Sequence, residues 1–406
     1  MVGGFDVENF GDLLFPLLAR HELARRLGPV EIRPYSYHAR SAPPWPFDVT
    51  PLERLPTELP SLDLLLVGGG DIIRFDRRVA PGYRPSSARI HHPTGFWLSP
   101  IFMAHAAGVP VAWNAPGIPA QFPPWALPLV RASVAVSSYV SVRDAASREL
   151  LSQVVPDALV EVTPDTGFNA ATMLADDPAS RGVPFDQPGA TRPDSAGYLV
   201  VQSRPEWRSW LPRASANLRP WDLVLTPVGP VNGDLARSPR DLPSQTTFCP
   251  PLDPYQLLAL IAHSSGVLGT SLHLTIAALS LGRPALRPTS TARRKYRMLE
   301  GLGGVRHFDR RAWESLNSVI DLGVPDEAQL ADRHVRLARH WDTVASLARA
   351  AAAVPRQPKS WRPLLVDFWE RLPGTLEQRS SSEDLRDLIS AARRRLPRLE
   401  YTRRRG

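Results

Sequence analysis

The chain has 406 residues, 43% apolar and 22% charged, which allows a large buried core and excludes wholesale disorder. No apolar run approaches the ~20 residues that span a bilayer, the first residues lack the pattern of a signal peptide, and Cys249 alone excludes an intrachain disulfide or a cysteine metal cage. Of the net charge of +8, residues 393–406 hold +6 (seven arginines against Glu400), leaving +2 elsewhere: a basic tail, not the charged face of a nucleic-acid-binding domain.

Short apolar strands alternate with amphipathic helices, the pattern of parallel α/β sheets. In the first half, strands are expected at 30–32, 64–67, 109–113, 139–142 and 159–162, and helices at 13–26, 98–107 and 144–154. Gly3-Gly4 already looks like a turn, so the first strand is expected to be minimal or absent. The better strands run into polar or glycine-rich turns: Gly68-Gly69-Gly70-Asp71, Asn114-Ala115-Pro116-Gly117 and Arg143-Asp144. Open α/β sheets place ligands outside the carboxyl ends of their strands, so these turns mark a functional edge.

Residues 173–196, rich in Pro, Asp, Gly and Ser, read as a linker. Strands are then expected at 198–202, 223–226, 247–249, 267–268 and 284–286, with helices at 254–263 and 272–281. The expected organisation is α/β. A Rossmann-like domain (1–172) and a second one (197–325) face each other across a cleft, in the manner of the glycosyltransferase-B fold. A helical C-terminal region (326–392), anchored by Trp341, Trp361 and Trp369 and packing on the second domain or reaching back toward the first, precedes the tail (393–406).

The most informative block is Gly266-Val267-Leu268-Gly269-Thr270-Ser271-Leu272-His273, a short buried strand turning directly into a helix. The free N–H groups of such a first turn favour an anion. His273 there either bonds or protonates that anion or is a satisfied capping histidine. Upstream, Asp253-Pro254 fits an N-cap and first helical position.

Here the chain resembles the polysaccharide pyruvyl transferase family. The resemblance rests on Ser271-Leu272-His273, Ala277-Ala278 and Gly282-Arg283-Pro284, on Asn9-Phe10-Gly11-Asp12 and on Gly68-Gly69-Gly70. Ser141-Val142-Arg143-Asp144 with Ser147, Pro164-Asp165 with Phe168, and Lys295 before Met298-Leu299-Glu300-Gly301-Leu302-Gly303 extend it over residues 3–303. One departure stands out: the family's Arg before Leu-His is Ser271 here.

The resemblance implies transfer of a pyruvyl group from phosphoenolpyruvate to a pair of sugar hydroxyls of a glycan or lipid-linked saccharide, forming a ketal, with no metal or redox cofactor. It implies a general acid or donor-phosphate ligand in His273. Arg204, Lys295 and the backbone of Thr270 and Ser271 are expected to hold donor anions, and Asn9, Asp12 and Asp71 the acceptor hydroxyls. Other roles stay open: Asp12 can merely favour its helix's positive end, and Asp71 can merely cap a turn. Arg143 and Asp144 read as an internal ion pair or cap, Asp165 as structural, and Asn114 as a cleft or turn residue. A nucleotide-sugar glycosyltransferase of the same architecture and a non-catalytic glycan-binding family member are the alternatives. The expected location is cytoplasmic, with the tail available for peripheral contact with the membrane's inner face; nucleic acid is not expected as a partner.

Overall fold

The computed structural model describes residues 1–41, 45–75, 96–176, 197–207, 211, 218, 221–237, 246–288, 294–308, 323–355 and 357–359. The first half supplies strands β1 (Tyr35–Ser36), β2 (Thr50–Pro51), β3 (Leu65–Val67), β4 (Val111–Trp113), β5 (Ser141–Val142) and β6 (Glu161–Val162). Helices α1 (Phe10–Leu27), α2 (Leu55–Glu58), α3 (Leu98–Ala106), α4 (Leu127–Val136), α5 (Ala145–Ser152) and α6 (Ala170–Asp176) accompany them. Every ladder is parallel, and isolated bridges join the pairs: Val2 lies between Tyr35 and Val67, and Ala112 meets Tyr139. The first strand is thus a single buried bridge residue, Val2, as the early Gly3-Gly4 suggested.

Three sequence expectations shift in this half. Residues 30–34 are irregular and pairing starts only at Tyr35, where the side chain is fully buried; Val30 and Ile32 are half-buried. Residues 173–176, read as the start of the linker, belong to α6, where Met173 and Leu174 are buried. Helix α4, opened by Pro128 in its first turn, has no counterpart in the sequence reading.

Among the described residues, the second half has six parallel strands: β7 (Tyr198–Gln202), β8 (Asp222–Thr226), β9 (Thr246–Phe248), β10 (Gly266–Leu268), β11 (Ala285–Pro288) and β12 (Val305–Phe308). Their order, β9-β8-β7-β10-β11-β12, is the doubly wound arrangement, with a switch point between β7 and β10. Helix α7 (Pro254–Ala262) starts with a reciprocal cap: Asp253 accepts from the Gln256 N–H and Gln256 accepts from the Asp253 N–H. Helix α8 (Leu272–Ser280) leaves β10 through Gly269-Thr270-Ser271.

The two halves share their cores. Phe10, Leu14, Leu17 and Leu18 of α1 pack with β7, β8, α7 and α8, while Phe15, Ala19 and Leu23 pack with the long α9 (Glu327–Ala353). That last helix, expected on the second half or reaching back toward the first, lies mainly on the first. Trp341 is fully buried and bonds Asn169 Oδ1 at 3.0 Å, Arg336 bonds the Val162 carbonyl, and His340 lies between Tyr139 and Asn114. Leu337, Trp341, Val344 and Ala345, at the i, i+4, i+7, i+8 spacing of one helix face, supply the buried stripe. Trp361, Trp369 and the basic tail lie outside the described residues.

Candidate active site

A cleft of about 520 Å³ opens where the two sheets face each other, at the switch point between β7 and β10. Asn9, Asp12, Asp71, Arg204, Thr270, Ser271 and His273 all line it, so seven of the eight residues singled out in the sequence share one space. The eighth, Lys295, falls in the turn Arg294–Leu299, and its side chain lies outside the described residues.

From the first half, α1 begins at the cleft, and Asn9 Nδ2 donates to Asp12 Oδ2 at 2.6 Å. Burial drives the Asp12 carboxyl up to about 6, against the downward pull of His273 and Asn9. The three glycines after β3 have φ of 111°, 79° and 73°, a left-handed run that side chains resist. A Cβ on Gly69 would lie 2.3 Å from the Phe15 ring, so the turn can press against α1 only as glycine. The turn delivers Asp71 to Arg143, whose Nη2 donates to Asp71 Oδ1.

Arg143 is buried among three carboxylates, with Nε 3.6 Å from Asp144 and Nη1 3.8 Å from Asp165, and Asp144 also caps α5 by accepting from the Ser147 N–H at 2.6 Å. Asp165 is 1% exposed. One of its oxygens caps the 166–169 turn through the Gly167 N–H at 2.9 Å; the other lies 3.5 Å from His273 Nε2. Burial opposes the charge on Asp165, but His273 and Arg143 more than offset it and hold the carboxyl below its usual range. The result is a line of groups, Asp71–Arg143–Asp165–His273, running from the β3 turn to the start of α8.

From the second half, His273 stands in the first turn of α8 with its ring edge-on to Phe15, centroids 5.2 Å apart. Its Nδ1 lies beside Gly11, where a Cβ would come within 1.9 Å. Ser271 is the N-cap, accepting from the Leu274 N–H at 3.3 Å. The Thr270 and Ser271 N–H groups, expected to cradle an anion, both donate to Gln202 Oε1, at 2.8 and 3.0 Å. Gln202 in turn donates Nε2 to Asp234. Among the described residues, the Leu272 and His273 N–H groups carry no hydrogen bond, so the open donors lie one step further along. Arg204 lines the cleft, but its guanidinium already meets Glu206 at 2.9 Å, Asp234 at 3.3 Å and the Asn232 carbonyl.

A family model for polysaccharide pyruvyl transferases matches residues 9–287, from the start of α1 to the end of β11. The chain belongs to the polysaccharide pyruvyl transferase family. It is therefore a transferase, and its relatives point to a polysaccharide acceptor. No curated protein matches this chain. Among solved structures, a protein of Listeria monocytogenes described as a UDP-N-acetylglucosamine 2-epimerase is 11% identical, with 88% of this chain and 98% of that chain covered and a TM-score of 0.50. The UDP-GlcNAc 2-epimerase of Neisseria meningitidis, bound to UDP-GlcNAc, is 13% identical over 85% and 95% of the two chains, with a TM-score of 0.48. The glycosyltransferase SnogD of Streptomyces nogalater is 16% identical over 83% and 94%, with a TM-score of 0.40. The likeness to the Listeria monocytogenes structure concerns the fold alone: two α/β units with parallel sheets facing a cleft, glycosyltransferase-B-like.

Three residues of this candidate site were not legible as site residues. Asp165 read as structural, and only the fold brings it to His273. Gln202 carried a weak signal, one polar side chain ending the apolar strand Tyr198–Gln202 at the switch point. Arg287, at the end of β11, lies behind the Thr270–Ser271 turn and carried none.

Proposed function

We propose that this family member transfers the pyruvyl unit of phosphoenolpyruvate to two hydroxyls of a glycan or lipid-linked saccharide, closing a cyclic ketal and releasing phosphate. The observation that carries this reading is the pairing of His273 with Asp165 at the open start of α8, packed beside the start of α1 that brings Asn9 and Asp12 to the same cleft. The reaction puts one proton on the donor's methylene carbon and takes two from the acceptor hydroxyls; the second leaves on the phosphate. A single imidazole can give the first and recover one of the others. Asp165 fixes which nitrogen does this. With Nε2–H directed at the buried carboxylate, Nδ1 is the atom that exchanges protons. Asp12, held near neutral by burial, is suited to orient or deprotonate an acceptor hydroxyl.

A second reading, a non-catalytic glycan-binding member, is favoured by one observation: Glu206 and Asp234 already neutralise Arg204. The deciding experiment measures product formation from phosphoenolpyruvate and a panel of glycans for the wild type, His273→Ala and Arg204→Ala. Turnover by the wild type and its loss in His273→Ala are expected. Full turnover in His273→Ala would remove the histidine from the chemistry, and glycan binding without donor binding would select the second reading. A role in exopolysaccharide or cell-envelope assembly at a membrane's inner face follows from the proposed acceptor. No helix of the described residues is long and apolar enough to cross a membrane.

A further inference from the structure

Arg287 closes β11 and is 2% exposed. Its Nη2 donates to the Thr270 carbonyl at 3.1 Å, its Nη1 to Thr275 Oγ1 at 2.8 Å and to the Ser271 carbonyl at 3.4 Å. The Tyr296 ring covers its other side, 4.0 Å from Cζ. Arg143 and Arg204 each meet carboxylates. Among the described residues no carboxylate pairs with Arg287, and burial pulls its pKa down. A buried cation with no counter-charge is costly.

Its hydrogen bonds do not account for it, because the carbonyls it touches have other partners. The Tyr296 hydroxyl donates to the Thr270 carbonyl at 2.9 Å. The Thr275 N–H and hydroxyl donate to the Ser271 carbonyl at 3.3 and 3.1 Å. A neutral side chain would leave the turn satisfied and would not desolvate a charge.

The turn's geometry shows where that charge acts. In a trans peptide the C=O and the following N–H point in opposite directions. The Ser271 carbonyl faces Arg287, so the Leu272 N–H faces away from it. The Leu272 and His273 N–H groups are the two donors of this turn left open, and both residues line the cleft. We infer that Arg287 is the counter-charge for an anionic group, the carboxylate or phosphate of the donor, bound on the Leu272 and His273 N–H groups. This rests on the donor reading above. Arg287 is then a positioning residue: it polarises the helix start and gives its own buried charge a partner only when the site is filled.

The test measures calorimetric binding of phosphoenolpyruvate, inorganic phosphate and pyruvate to the full chain as wild type, Arg287→Met and Arg287→Lys, with the melting temperature of each unliganded variant. Expected are at least tenfold weaker phosphoenolpyruvate binding in Arg287→Met, partial recovery in Arg287→Lys, a smaller loss for singly charged pyruvate than for phosphate, and an unliganded Arg287→Met no less heat-stable than the wild type. In turnover, KM for the donor rises while KM for the glycan holds. Unchanged anion binding in a folded Arg287→Met, or equal losses in Arg287→Met and Arg287→Lys, would overturn the inference. Phosphate binding that depends on Arg287 without any phosphoenolpyruvate binding supports the anion site and refutes the donor reading; binding of neither anion by the wild type refutes both.

Discussion

Replacing Asp12 by Asn should make the protein more stable at neutral pH and less active. Burial holds the Asp12 carboxyl at about 6, against 3.8 when solvated. Between those values the folded state binds more protons than the unfolded one, so stability falls as pH rises and the full penalty is present above about pH 6. About two units at 1.36 kcal/mol each set an upper bound of about 3 kcal/mol. Asparagine has the shape of the protonated acid and still accepts the bond from Asn9, so Asp12→Asn removes the penalty and little else. Denaturant unfolding should give equal stabilities at about pH 4 and an advantage of about 2 kcal/mol for Asp12→Asn at about pH 7.5. Asp165, shifted the other way, is common to both proteins and cancels in the difference. A difference that stays flat across this pH range, or a less stable variant at about pH 7.5, would refute the reasoning. Loss of turnover alongside the gain would place the buried carboxyl among groups kept for function at the cost of stability.

Four further substitutions probe the neighbouring contacts. Asp165→Asn should lower kcat on the order of 10²-fold or more and shift its pH profile, with KM for the donor nearly unchanged, because the ring loses the partner that sets its tautomer; a parallel rise in KM would assign Asp165 to binding instead. Gly11→Ala puts a Cβ 1.9 Å from His273 Nδ1, so it should abolish most turnover and cost about 1–3 kcal/mol in unfolding experiments. Ser271→Arg removes the cap on the Leu274 N–H and should cost about 1 kcal/mol, whatever it does to donor affinity. Trp341→Ala should cost about 3–5 kcal/mol, since the ring is fully buried and its N–H bonds Asn169 in the 166–169 turn. Because Asp165 caps that turn, this variant should also lower turnover.

How much the sequence revealed depends on how long each element is. The strand Tyr198–Gln202 opens with four apolar residues in a row, and α7 carries a sequence-readable cap at Asp253, so the second half was read almost element for element. Strands of two residues, such as Tyr35–Ser36 and Glu161–Val162, offer too few positions for a period, and neighbouring apolar residues at 30–32 misplaced the first of them. Site residues followed the same rule. Asn9, Asp12, Asp71, Arg204 and His273 stand at strand ends or helix starts, where the topology alone says ligands gather. Asp165 and His273 are 108 residues apart and come from different halves; no local pattern encodes a distance of 3.5 Å between them. The same holds for Gln202, whose carbonyl oxygen occupies N–H groups 68 and 69 residues away.

What makes the distant pairing dependable is α1. Its N-terminus is tied to the second half by the Phe10 N–H to the Val228 carbonyl at 2.8 Å, and Phe10, Leu14, Leu17 and Leu18 are buried there. Yet Gly69 and Phe15 lock the same helix to the β3 turn of the first half. His273 packs on Gly11 and Phe15, so Asn9, Asp12 and the imidazole move as one body with α1 whichever half it follows. Asp165 belongs to that body too, because its turn touches α1, α8 and α9. The His273–Asp165 contact that the proposed chemistry uses is therefore held from both halves at once.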